Sequence, residues 1–285
     1  MTHSTSFAND LECRIRHGMD GGRASERVSD RALAGVSALL FAGSAALTIV
    51  RCASMSAMRG MAMPGGWTMS MAWMRMPGQT WLEAAASFTG MWVVMMVAMM
   101  LPSLAPVLRG CRRPIGSPCE PRKPWLTLLT AAGYFLVWTL FGMAVYLPGV
   151  ALAAVEMHQP ALARSVPLAA GVVVLIAGMM QFTSFKAHHL GCCRGAPGRA
   201  RTLPNDAGTA WRHGLGLGLH CIYCCGSFTA VLLAIGVMDL RAMAFVTAAI
   251  TMERLAPGGK RVAQVTGAVL AGVGLLLMAR AAGLA

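Results

Sequence analysis

The chain has 285 residues, 56% of them hydrophobic and only 12% charged, roughly half the charge of a soluble domain. Its net charge of +13 does not make it a nucleic-acid binder, because the Lys and Arg residues are dispersed between apolar runs and form no basic face. Several uncharged runs reach the ~20 residues that cross a bilayer, and the alternation of a membrane barrel is absent. The composition predicts an all-α, polytopic transmembrane helical bundle, since lipid leaves backbone polar groups no partner outside a helix.

Residues 1–31 read as a flexible polar tail and 32–285 as a single membrane domain. Seven spans are predicted, at about Ala32–Val50, Ala84–Leu108, Trp125–Leu147, Val166–Phe185, Gly214–Val237, Leu240–Met252 and Val262–Ala282. The sixth is short enough to be re-entrant. With the N-terminus cytoplasmic, the outer side receives only Arg51, Arg59, Arg75, Arg164, Arg241 and Arg280. The other 18 of the 24 Lys and Arg residues fall inside, as the positive-inside rule asks. The 31 polar residues before the first apolar run are long for a signal peptide, so that run is read as a retained span.

The outer loop at 51–83 is rich in sulfur. It carries Met55, Met58, Met61, Met63, Met69, Met71, Met74 and Met76, with Trp67 and Trp73 interleaved. Pro64, Gly65, Gly66, Pro77 and Gly78 argue against a long helix there. Thioethers are soft, uncharged donors that select Cu(I), so Met61, Met63, Met69 and Met71 are candidate metal ligands. An interfacial Met/Trp segment resting on headgroups is the alternative. On the second span, Met91, Met95 and Met99 recur every fourth residue, with Met96 and Met100 beside them. That stripe leads inward, though methionine also packs well in helices. Pro102 and Pro106 are expected to kink or end the span.

The fifth span carries His220-Cys221-Ile222-Tyr223-Cys224-Cys225-Gly226. Cys221, Cys224 and Cys225 share one helix face, with His220 flanking it. Counted from Gly214, Cys221 lies ~10 Å deep, in the inner half of the bilayer. The preceding inner loop offers Lys186, His188, His189, Cys192 and Cys193. Thiolate and imidazole together suit Cu(I) or Zn(II). Candidate inner ligands are therefore Cys221, Cys224, Cys225, Cys192, Cys193, His189 and His220, with Met95, Met96, Met99 and Met100 above them. Glu253, Lys186 and Gln181 are supporting polar groups at membrane depth, where charge is costly. Cys13, Cys52, Cys111 and Cys119 are assigned no role.

These residues resemble a family, the bacterial predicted metal-binding integral membrane proteins, a domain of unknown function also labelled copper chaperone. The resemblance runs from about Trp92 to about Leu277. It rests on the Met-rich helix ending Ala98-Met99-Met100-Leu101-Pro102, on Lys186 with the paired Cys192-Cys193 and Arg194, on C-x-x-C-C at Cys221–Cys225, on Gly236-Val237-Met238, and on Glu253-Arg254. The family pattern has Cys where His189 stands, Gly at Tyr223 and Trp at Gly226. The resemblance implies a bacterial inner-membrane protein that handles a metal.

Cu(I) handling is therefore the leading functional expectation, with capture at the outer methionines, passage along the second span and holding or transfer at the inner Cys/His site. Zn(II) is the other metal considered. The expected partners are the lipid bilayer, the metal ion, and a metallochaperone or cuproprotein, with no nucleic acid. No P-loop is present, which excludes a pump driven by its own nucleotide hydrolysis. Two alternatives stand beside it: a membrane-complex assembly or scaffold subunit, and a thiol-disulfide oxidoreductase built on Cys221 and Cys224. The latter class usually holds its thiols where partners reach them.

Overall fold

A computed structural model describes residues 31–55, 60–76, 78–111, 124–194 and 206–283. The predicted tail at 1–31 lies outside them except for Arg31, as do Met58 and Pro77. Among these residues the architecture is all-α apart from one small hairpin. In chain order the elements are α1 (Arg31–Met55), β1 (Met61–Met63), β2 (Trp67–Met69), a 3₁₀ turn (Met71–Trp73), α2 (Trp81–Cys111), α3 (Pro124–His158), α4 (Pro160–Met180), α5 (Ser184–Arg194), α6 (Ala207–Ile235), α7 (Leu240–Leu255) and α8 (Gly259–Ala281).

Among the described residues, α1, α2, α3, α4, α6 and α8 are long and apolar enough to cross a membrane. The predicted sixth span is α7, with 16 residues. At helical rise that is about 24 Å, short of the ~30 Å hydrocarbon core. The end of the third span and the start of the fourth differ from the sequence expectation at prolines. Pro148 and Pro167 lie inside α3 and α4, where a proline costs one hydrogen bond without stopping the helix. The third span therefore runs on to His158, and the fourth begins at Pro160. Pro102 and Pro106 likewise sit within α2.

Small residues bring the helices together. α4 packs most extensively on α8, and α3 on α6. A side chain at Gly178 would meet the Ala271 backbone at 2.6 Å, and one at Gly274 the Leu175 backbone at the same distance. On the other pair, a side chain at Gly133 would meet the Trp211 carbonyl at 2.9 Å, and one at Gly214 would strike the Thr130 carbonyl. Such close backbone approach is how membrane helices gain dispersion contact without a hydrophobic driving force. Asp206 caps α6 by accepting from the Thr209 amide at 3.0 Å and the Thr209 hydroxyl at 2.6 Å. Those bonds hold its carboxyl below the usual range.

The methionine loop folds as an antiparallel hairpin with Met61 opposite Met69 and Met63 opposite Trp67. Gly65 and Gly66 take positive φ in its turn, a conformation glycine adopts without strain. The hairpin is fastened to the α3–α4 corner by the Trp67 indole, which donates to the Ala163 carbonyl at 2.8 Å.

Candidate metal centre

α6 presents Cys221, Cys224 and Cys225 to the interior, each 0–1% exposed. α6 begins seven residues before Gly214, which corrects the expected depth. Cys221 lies midway between Ala207 and Ile235, roughly 20 Å from the helix start. Cys221 Sγ and Cys225 Sγ are 3.9 Å apart, far beyond the ~2 Å of a disulfide. Met100 Sδ of α2 stands 3.9 Å from Cys221 Sγ. Met95, Met96, Met99 and Met100 are all buried in the same core as the thiols, and Met91 packs against it. The methionine stripe and the cysteine face thus meet at Met100.

Three polar side chains surround the sulfurs. Arg254 of α7 donates Nη2 to Cys221 Sγ at 2.8 Å and to Cys225 Sγ at 3.7 Å. Its Nη1 donates to Ser103 Oγ at 3.2 Å. The Tyr134 hydroxyl of α3 donates to Cys221 Sγ at 3.0 Å. Lys186 of α5 donates to the Cys224 carbonyl at 2.6 Å and pairs with Glu253 at 2.9 Å. It also lies over the Phe228 ring, 4.7 Å from its centre. The predicted supporting residues Glu253 and Lys186 are thus one buried ion pair beside the thiols. Gln181 reaches Ser227 of α6 at 3.0 Å, and among the described residues its Oε1 has no hydrogen-bond partner.

Sequence reasoning missed Arg254, Tyr134 and Ser103 as parts of this centre. Arg254 carried a signal, an arginine adjoining Glu253 inside an apolar run. Tyr134 and Ser103 carried none, because only tertiary packing brings α3 and α2 to Cys221. The stretch read as an inner loop is α5, whose buried side is Lys186 and Leu190, one turn apart.

The histidines gather elsewhere. His220 is exposed, and its ring nitrogen contacts the Gly216 carbonyl at 2.8 Å. His189 lies against Phe185, Tyr223, His188 and His220, with centroids 4.4, 5.2, 5.4 and 6.0 Å away. Burial, then the neighbouring His188 and His220, hold its imidazole below the ordinary range. That leaves it in the neutral, ligand-competent form near pH 7. The side chains of Cys192 and Cys193 lie outside those described. Among the described residues no group of three or more His, Cys, Asp or Glu is arranged as a ready metal cage.

The outer methionines divide. Met63 and Met69 are buried with Ala153 and Ala163. Met71 is half-buried, while Met61 is exposed. Packing on the α3–α4 corner thus accounts for two of the four candidates.

A family model described as copper chaperone, PpoB2, matches residues 89–277. No curated protein and no solved structure matches the chain. The matched region spans about two thirds of the sequence and includes the α2 methionine stripe, the three α6 thiols, Lys186, Glu253 and Arg254. The chain belongs to the copper chaperone family PpoB2.

Proposed function

We propose that the protein holds Cu(I) as cargo at the buried thiols of α6 and exchanges it along the methionine stripe of α2. The observation that carries this reading is the convergence of Cys221, Cys225 and Met100, whose sulfurs lie within 3.9 Å of Cys221 Sγ. Two thiols and a thioether are soft donors suited to Cu(I) at low coordination number. Zinc is less well suited, since it takes four ligands in a closed site. His189, which could complete such a set, packs against Phe185 and Tyr223 instead.

Arg254 gives the site a resting state. Its guanidinium bridges Cys221 and Cys225, placing positive charge where the cargo would bring it. Cu(I) entry exchanges that guanidinium for metal, and Ser103 keeps the arginine on the same side through Nη1. Burial of all three thiols favours a metal role over thiol-disulfide exchange, which needs an accessible sulfur.

In this reading the chain lies in a bacterial inner membrane with its N-terminus inside and the Met hairpin outside. Exposed Met61 is the hairpin sulfur that meets incoming metal first. A metallochaperone or cuproprotein is the natural exchange partner. The test is metal stoichiometry on detergent-purified, reduced protein after loading with Cu(I). The Cys221, Cys224, Cys225 triple Ser variant should lose about one copper per chain relative to the wild type. Equal copper in both proteins would remove the α6 site.

A further inference from the structure

A second group of sulfurs lies at the other end of the stripe, in a cavity of about 40 Å³ between α1, α2 and the start of α7. Its lining includes Cys52, Met91, Met95, Met238 and Met243. Cys52 is 1% exposed, and its Sγ is 3.6 Å from Met238 Sδ. The volume accommodates one small occupant, a water or a single ion. A packing role would leave apolar walls around apolar atoms, yet Thr48 also lines this space. Thr48 is only 9% exposed, and its hydroxyl has no hydrogen-bond partner among the described residues. A buried, unpartnered hydroxyl beside five sulfurs marks this space as one that receives an occupant rather than one closed by packing.

We infer that this cavity is a second binding site for a soft monovalent cation, Cu(I), held by Cys52 and Met238 with Met91, Met95 and Met243 around it. The charge count favours a monovalent ion. The group supplies one ionisable donor, Cys52, and four neutral thioethers. One thiolate and one Cu(I) make a neutral complex, whereas a divalent ion would leave net charge in an apolar setting. Arg51 on the rim is exposed, and Asp239, the α7 cap next to Met238, carries the opposite charge, so the two together leave this count unchanged. Met95 belongs to both the cavity and the stripe, one helical turn from Met99, so the site stands at the head of the route to Met100 and Cys221. Cys52 lies outside the residues matched by the family model, so the family assignment does not bear on it. The inference extends the proposed Cu(I) route but rests on a separate set of ligands.

The experiment is an equilibrium titration of the full chain in detergent with Cu(I), in competition with a chromogenic Cu(I) chelator under reducing conditions. Wild type should bind two Cu(I). The Cys52→Ser/Met238→Leu variant should bind one, and the α6 triple Ser variant should retain the one that the first variant loses. Met91→Leu, which keeps volume and so preserves the fold, should weaken that same site by about tenfold or more, as loss of a tuning contact does. If Cys52→Ser/Met238→Leu and Met91→Leu both titrate as wild type, the cavity is no copper site, and the α6 reading is untouched. If the triple Ser variant still binds two, the α6 reading fails while the cavity is judged on its own variants. One copper in wild type that survives Cys52→Ser/Met238→Leu overturns the inference.

Discussion

Replacing Glu253 with Leu is expected to destabilise the protein by about 3–5 kcal/mol, the cost of stranding one member of a buried ion pair. Glu253 and Lys186 are 1% and 4% exposed at their side chains and 2.9 Å apart. Without the carboxylate, the Lys186 ammonium keeps the Cys224 carbonyl and the Phe228 face among the described residues, while Arg254 adds a second positive charge nearby. Lys186→Met should cost less, because Arg254 remains to offset Glu253. The double variant Lys186→Met/Glu253→Leu should recover most of the loss, since two apolar side chains of similar volume replace a pair whose desolvation nearly cancels its attraction. Unfolding in mixed micelles, read as a double-mutant cycle, checks this order. Additive losses in the double variant would mean that the two groups are not energetically paired.

Single substitutions at the thiols should separate their roles in Cu(I) affinity. Cys221 accepts from Tyr134 and Arg254 and lies 3.9 Å from both Cys225 and Met100. It is therefore the member shared by both of these sulfur pairs. Cys221→Ser should weaken Cu(I) binding by more than the roughly 10–100-fold expected for an outer-shell change. Met100→Leu, which preserves volume, should fall within that outer-shell range. Chelator competition on the single variants measures the ranking. Cys221→Ser with unchanged affinity, beside a large loss at Cys224→Ser, would move the site to a different sulfur pair.

Much of the architecture was readable because membrane helices announce themselves by length and hydropathy. The α6 face was readable as well, since positions 221, 224 and 225 fall on one side of any helix. What escaped was of three kinds. α3 runs past Leu147 and α4 begins before Val166, because Pro148 and Pro167 are accommodated inside the helices at the loss of one hydrogen bond each. α5 is hidden in the sequence because its segment is polar and brief, and its buried side includes a lysine whose partner, Glu253, lies far along the chain in α7. The hairpin of Met61–Met63 and Trp67–Met69 has strands too short for any periodicity, and only the Pro64-Gly65-Gly66 turn hinted at it. The same limit applies to the centre itself. Sulfur ligands could be nominated from spacing, but the guanidinium of Arg254 and the hydroxyl of Tyr134 reach Cys221 only through the packing of α7 and α3 against α6.

X-ray absorption at the copper edge, on the Cu(I)-loaded chain under reducing conditions, tests the central claim most directly. The account predicts a first shell of sulfur alone, with bound copper falling by one per chain when Cys221, Cys224 and Cys225 become serine. A shell dominated by imidazole nitrogen, unchanged in that variant, would contradict it and place the metal with His188, His189 and His220.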